Sequence, residues 1–468
     1  MTDRSPWSVL AVCAIAVFLA SLDGTVMYVA FQDMHRTYAD VSAADLSWVI
    51  NGYTIAYAAL LVPAGRLADR YGRRRFFLGG TALFTLASFL CGVAPSAGLL
   101  VFARVLQAVG AAILLPASLA LVLAAFPPER RASAVATWGA VGGLAAAIGP
   151  SLGSVVIEKL GWEWVFFINL PLGVLAIVQG RRLLAEARTD AALGVPDPFG
   201  IALLVAGMSA AAFAVVKGAD WGVRDARTLA SGIAALVMLA LFVVRARRVA
   251  DPAVDVRLFL DARFSYANAA TFVFGIAFVV MFFGNVFFLT QQWHYSLREA
   301  GLAITPGPLT VIPFAMLGGR IADRHGHRNV LVVGGLLYAL SGLWFVLGVH
   351  HAPDFWGEWL PRAILSGAAV GLVLPSLSGA AVANLPRQSF AVGGAINQAM
   401  RQFGSVLGVA IAIAILGEEG AHVDADAFEQ SYAVLIVGGI LTALLSLPLG
   451  RKTLLIAAPA TAQAAPER

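Results

Sequence analysis

GRLADRYGRRR, residues 65–75, decides the reading of this chain, because it returns as GRIADRHGHRN at 319–329. Each copy closes one long apolar run and opens the next. In each, a glycine comes first, Ala-Asp-Arg follows, and a second glycine leads into basic residues. Gly65 and Gly72 permit close approach and a tight turn between helix ends. Asp69 can accept hydrogen bonds from the start of the next helix or pair with an arginine. Arg70, Arg73 and their neighbours can face anionic lipid heads. A second echo lies nearby: RVLQAVGAAILLPAS (104–118) resembles PRAILSGAAVGLVLPSLS (361–378), with one residue of slippage. The chain thus contains two related halves.

The apolar runs between these motifs set the class. The sequence has 468 residues, is 59% hydrophobic and only 13% charged, against about 25% charged in soluble domains. Roughly 20 apolar residues in helix cross about 30 Å of hydrocarbon. Runs of this kind fall at 8–31, 46–65, 76–95, 99–125, 133–157, 163–180, 198–216, 228–244, 264–290, 300–319, 329–349, 357–383, 390–415 and 431–450. The expectation is an all-α membrane protein with fourteen spans. Span 2 corresponds to span 10 and span 4 to span 12, so six-helix halves at 1–190 and 256–455 flank an inserted pair at 191–255. Residues 456–468 read as a disordered tail.

Charge orients the chain. With the N-terminus placed in the cytoplasm, the inner loops and tails hold 23 Lys/Arg and 11 Asp/Glu, and the outer loops and span ends 7 and 15. Cytoplasmic loops carry such a basic excess, so both termini are expected inside, at a cytoplasmic (inner) membrane. The net charge of +5 then reflects topology and contact with lipid, not nucleic acid. Cys13 and Cys91 lie in apolar runs, and no histidine shows ligand spacing. No metal, cofactor, catalytic constellation or Gly-x4-Gly-Lys-Ser/Thr loop for ATP is found.

Three charges remain inside the spans: Asp23, Arg104 and Arg401. A charge at mid-membrane costs about 2.5–3.5 kcal/mol on insertion scales. Asp23 shares a helical face with Ala16, Ala20, Met27 and Ala30, a stripe suited to a bundle interior. Arg104, Gln107 and Ala111 share a face of span 4. At 1.5 Å per residue, Arg104 lies about 8 Å and Asp23 about 12 Å from the same outer surface, so the two can pair. Snorkelling of Arg104 to that surface is the other reading. Arg401 needs a partner or water, with Asn397 and Gln398 nearby to line a polar cavity. In span 5, Gly139, Gly143 and Ala147 recur every four residues, as do Gly142, Ala146 and Pro150; Gly149 and Gly153 add to this small-residue surface, and Pro150 favours a kink. In span 9, Phe274, Phe278 and Phe282 form one stripe with Asn285 beyond it. An aromatic wall for planar ligands and a lipid-facing surface are both open.

These motifs resemble the major facilitator superfamily, in particular its 14-span drug:proton antiporter branch, over nearly the whole chain. The loop at 65–75, the glycine-rich fifth span, GWEWVFFINLPLG (161–173) and the inserted pair carry the resemblance. It implies a major facilitator fold and export of hydrophobic organic compounds or drugs against protons by alternating access, by one chain acting as a monomer. It implies a conformational latch at Gly65, Asp69, Arg70, Gly72 and Arg73, with Gly319, Asp323 and Arg324 as its echo. Span 5 becomes an antiporter packing element. Arg104 joins proton transfer, and Asp23 either carries the proton or forms a fixed structural pair with Arg104. Gln107, Asn285, Asn397, Arg401 and the phenylalanine stripe become candidates for the substrate cavity. Departures exist: Ala108 replaces a glycine, and Tyr28, Phe31 and Gln32 replace Asn, Leu and Pro. Spans 9–14 lack a second membrane acid, since Glu299 lies at a span's edge, which disfavours dicationic cargo. A transporter dedicated to one metabolite, such as an antibiotic or siderophore, and a non-transporting receptor or scaffold are the alternatives.

Overall fold

The computed structural model describes residues 5–127, 130–186, 194–222, 224–350, 352–385, 390–416 and 425–450. The tail at 456–468 lies outside the described residues. Fourteen helices among them are long and apolar enough to cross a membrane. The first six are α1 (Pro6–Thr37), α2 (Ala43–Tyr71), α3 (Arg73–Gly92), α4 (Ala97–Ala125), α5 (Thr137–Leu160) and α6 (Trp164–Leu183). Next come α7 (Pro198–Gly218) and α8 (Ala226–Arg248). The last six are α9 (Ala262–Gln292), α10 (Leu297–Ala322), α11 (His327–Leu347), α12 (Phe355–Val382), α13 (Val392–Leu416) and α14 (Ala425–Leu449).

Helix ends follow local chemistry. The Ser96 hydroxyl accepts from Leu99 N at the start of α4, and Asp261 accepts from Phe264 N near the start of α9. Ser296 and Glu299 close a reciprocal capping box at α10, which satisfies two donors that a helix start leaves orphaned. Glu299 is thereby used in a cap. The two sequence echoes share one backbone device: Gly72 has φ +122° and Gly326 φ +81°, a region open to glycine at little cost. Each donates its N–H to the carbonyl four residues back, on Ala68 and Ala322.

Packing repeats with the sequence. In the first half α1 packs on α4, α5 and α6, α2 on α4, and α3 on α4 and α6. Eight helices later α9 packs on α12, α13 and α14, α10 on α12, and α11 on α12 and α14. The halves meet at two equivalent seams, α2 with α13 and α5 with α10. Inserted α7 lies over the first seam, touching both α2 and α13, while α8 packs mainly on α7. Only 17% of the apolar core of α8 is buried, against 83% for α2, so α8 presents its surface to lipid.

The two membrane faces differ. The acidic-loop face is packed shut. Tyr28 of α1 meets Phe282 of α9 in a tilted contact at 5.4 Å, Phe31 meets Phe283 at 5.6 Å, and Gln32 Nε2 donates to Thr290 Oγ1 at 3.1 Å. At the other seam Gly301 of α10 lies so close to Ser154 of α5 that a Cβ would collide with its hydroxyl. On the basic-loop face Arg66 donates to Asp251 at 2.7 Å and to the Pro252 carbonyl at 2.9 Å. Asp197, which caps α7, takes a bidentate contact from Arg245 at 2.5 and 2.8 Å. The Arg66 bonds tie the segment after α8 to the end of α2, and the Asp197–Arg245 contact ties α7 to α8.

Two predictions follow from this packing. A Cβ at Gly149 would strike the Thr25 hydroxyl of α1, whereas one at Gly143 meets nothing within 4 Å. Gly149→Ala should lose about 1–3 kcal/mol by overpacking, and Gly143→Ala should be neutral, in thermal unfolding of the detergent-solubilised protein. The Arg245 guanidinium hydrogen-bonded to Asp197 holds that carboxyl below the usual range. Its stabilisation is complete above the ordinary carboxyl value of about 4 and is lost as pH falls through the lower native value. Asp197→Asn should lower the unfolding temperature at neutral pH and leave a flatter dependence toward acid.

Candidate functional site

Five helices of the first half converge on Asp23. It is buried in α1, inside the small-residue stripe that its sequence face describes. Its Oδ2 accepts from Arg104 Nη1 of α4 at 2.7 Å. Its Oδ1 accepts from Gln107 Nε2 at 2.9 Å and from Asn169 Nδ2 of α6 at 3.3 Å. Arg104 also donates through Nη1 to Gln107 Oε1 and through Nε to the Val49 carbonyl of α2 at 3.2 Å. Its guanidinium carbon lies 4.1 Å from the centre of the Tyr53 ring. Ser88 of α3 accepts from Gln107 and Asn169 at 3.2 and 2.9 Å and donates to the Phe166 carbonyl at 3.1 Å.

Arg104 is 1% exposed and Gln107, Ser88 and Asn169 0%, so the pair sits among side chains and not at the interface. Arg104 does not snorkel. A buried ion pair survives only where its remaining donors and lone pairs are satisfied, and this shell of amides, one hydroxyl and one carbonyl does so. Proton arrival on Asp23 would remove one charge of the pair. Arg104 would then keep Gln107, the Val49 carbonyl and the Tyr53 ring face.

Asn169, Ser88, Tyr53 and Val49 were not among the residues singled out from the sequence. Asn169 did leave a signal, a lone amide in the apolar run WVFFINLPL. Tyr53 and Tyr57, one turn apart on α2, left another. Ser88 and a backbone carbonyl leave none, since a serine within a span is ordinary.

The second polar centre lies between the halves. A cavity of about 350 Å³ is lined by Gly139 of α5, Thr271 of α9, Leu374, Pro375, Leu377 and Ser378 of α12, and Asn397, Gln398 and Arg401 of α13. Asn397 Nδ2 donates to Asn268 Oδ1 at 3.2 Å and Thr271 Oγ1 at 2.8 Å, and Ser378 donates to Asn397 Oδ1 at 3.3 Å. Of the sequence candidates for a cavity, Asn397 and Arg401 therefore line it. Gln107 belongs to the Asp23 cluster instead. Asn285 lies under Tyr432, whose hydroxyl donates to it at 3.4 Å. Phe274 and Phe282 are buried and Phe278 half-buried. Their stripe runs from Tyr338 of α11, 4.9 Å from Phe274, to Tyr28 of α1, so it forms core and seam and does not line this cavity.

The remaining candidates separate by face. In α5, Gly149 and Gly153 press on Thr25 and Val26 of α1, within one half, and Gly139 borders the cavity. Pro150 offers its carbonyl toward Gly301 at the second seam. At the loop after α2, Gly65 lies against Pro116 of α4, Asp69 accepts from Arg73 at 2.7 Å, and Arg70 lies over Tyr71. Glu186, beyond α6, accepts from Arg74 N at 3.0 Å and crowds Gly72. In the echo, Gly319 has open space and Arg324 is exposed. The side chain of Asp323 lies outside the described residues. A further buried cation lies in the first turns of α12. Arg362, at the position of α12 that echoes Arg104, is 1% exposed and pairs with Glu358 one turn earlier.

Comparison with known proteins agrees with this architecture. The Major Facilitator Superfamily profile matches residues 13–243 and 266–467. The chain is 33% identical over 410 residues to a tetracenomycin C resistance and export protein of Streptomyces glaucescens, covering 87% of this chain and 75% of the relative. It is 32% identical over 415 residues to the multidrug resistance protein Stp of Mycobacterium tuberculosis, covering 88% and 76%. A methylenomycin A resistance protein of Bacillus subtilis is 30% identical over 417 residues, with 88% and 87% covered.

The geometry makes the Asp23 cluster testable by stability alone. Removing one partner of a buried pair costs about 3–5 kcal/mol, more than removing both. Arg104→Gln should therefore unfold well below wild type, and Asp23→Asn combined with Arg104→Gln should recover part of the loss. A thermal-shift double-mutant cycle in detergent would show additive losses if the two side chains did not interact.

Proposed function

The chain belongs to the major facilitator superfamily, and from that premise we propose that it exports drug-like organic compounds from the cytoplasm in exchange for protons. It is a multi-pass membrane transporter and not an enzyme. We place the basic face in the cytoplasm, since cytoplasmic loops carry the Lys/Arg excess, and the protein in the cytoplasmic membrane with both termini inside. The relatives' names, which speak of tetracenomycin C, methylenomycin A and multidrug resistance, support export as the direction. One chain holds both halves and the cavity between them, which supports a monomer as the working unit.

The observation that carries proton coupling is the Asp23–Arg104 pair. In this reading the structure corresponds to the inward-facing, deprotonated state. Cargo enters the cavity at α12 and α13 from the cytoplasm. The contacts of α1 with α9 and of α5 with α10 then part, and the basic face closes around the latch at 65–75. Outside, cargo leaves and a proton neutralises Asp23. The return step brings the proton to the cytoplasm, where it leaves Asp23 for water and the carboxylate pairs with Arg104 again. Each charge moved across the membrane makes about 2.3 kcal/mol per 100 mV available, before any pH gradient.

Inverted membrane vesicles with an acidified lumen test the assignment. Tetracenomycin C or methylenomycin A, added outside, should enter the lumen and evoke proton efflux, read as recovery of a lumenal pH dye. Asp23→Asn should reduce that signal by about 10²-fold, in the range of a lost proton-transfer group. Wild-type proton efflux from Asp23→Asn vesicles would remove Asp23 as the carrier.

A further inference from the structure

Arg401 is a cation beside which no carboxylate stands among the described residues. It lies within α13, borders the cavity between the halves, and its buried Nε makes no hydrogen bond. The groups acting on its charge are the Tyr57 and Tyr28 hydroxyls, and no carboxylate is among them. The contrast with the other buried arginines is direct. Arg104 is paired with Asp23 at 2.7 Å, and Arg362, whose guanidinium nitrogens also make no hydrogen bond, still has the Glu358 carboxylate beside it on its own helix. The rest of the polar lining is neutral: Thr271, Ser378, Asn397 and Gln398. Three of these four are already engaged with one another, through Asn397.

The cavity therefore carries a net positive charge between low-dielectric walls, which concentrates its field on whatever enters. A cationic cargo would be repelled there. An organic acid would give Arg401 the counter-ion that the described lining residues do not supply, and the planar guanidinium fork matches a carboxylate's two oxygens. Leu374, Pro375 and Leu377 supply an apolar side for the rest of such a molecule.

We propose that the transported compound is a monoanionic, largely apolar organic acid whose acidic oxygens are received by Arg401. The proposal rests on reading this cavity as the cargo path. It deepens that reading by assigning the charge of the cargo and the residue that selects it.

Binding in detergent, with no gradient present, separates this claim from proton coupling. The probes are three tricyclic aromatics of equal size: an anthracene carboxylate, its methyl ester and the aminomethyl analogue. Wild type should bind the carboxylate about tenfold more tightly than the ester, in keeping with a charge-assisted bidentate contact, and the amine least. Arg401→Gln should erase the order, and Arg401→Lys should keep part of it. Equal binding of carboxylate and amine by wild type, or no carboxylate binding at all, overturns the proposal without recourse to any variant. Persistence of the carboxylate preference in a folded Arg401→Gln protein does so too. If the order holds while Asp23→Asn vesicles still release protons, the coupling assignment fails alone. If Asp23→Asn abolishes proton release while wild type prefers the amine, the cargo assignment fails alone.

Discussion

A carboxylate and a guanidinium facing each other inside a membrane constrain everything around them. Asp23 and Arg104 meet at 2.7 Å with almost no exposure, so each remaining lone pair and N–H needs a protein partner. Gln107 of Arg104's own helix, Asn169 of α6 and the Val49 carbonyl of α2 supply such partners, and Ser88 of α3 braces both amides. The pair thus fixes how α2, α3, α4 and α6 gather around α1.

The duplication makes the asymmetry of charge informative. Helix contacts repeat eight helices apart, and glycine adopts positive φ after both copies of the Ala-Asp-Arg motif. The ion pair does not repeat across helices. In the second half the echo of Arg104, Arg362, finds its acid within its own helix at Glu358 and packs its guanidinium against Gly348. A pair one turn apart on a single helix is local and holds no other helix in place by itself. The first half thus concentrates the charge chemistry in an inter-helix pair, and the second half contributes a cavity wall with one cation. The inserted α7 adds a second asymmetry, because it covers the seam of α2 with α13 and leaves the equivalent seam of α5 with α10 uncovered.

How much of this could be read from residues alone follows the range of each interaction. Span number, the repeat and the pairing of Asp23 with Arg104 were legible because they rest on run length, local motif and depth, which a linear sequence preserves. The partners Ser88 and Val49 were not, because a hydroxyl and a backbone carbonyl acquire meaning only when helices distant in sequence meet. The phenylalanine stripe of α9 shows the limit most clearly. Its spacing identifies one helical face, but spacing carries no information about whether that face meets lipid, cavity or another helix. The structure turns it toward Tyr338 and Tyr28.

One helix touches both polar centres. On α2, Tyr53 lies against Arg104 at 4.1 Å and stacks on Tyr57 at 6.1 Å, and the Tyr57 hydroxyl lies beside Gln398 and Arg401. Two cations, one in each half, are thereby connected by two rings on a single turn of helix. The same α2 forms a seam with α13 and lies under α7, so it cannot shift without changing the contact between the halves. An anion seated at Arg401 would alter the field on Tyr57, and loss of the Asp23 charge would alter the hold on the other side of Tyr53. Packed cores switch between discrete arrangements and do not deform continuously. In the proposed cycle, the stacked pair between the two arginines is the shortest contact through which cargo charge and acid charge would both bear on the packing of α2 against α13.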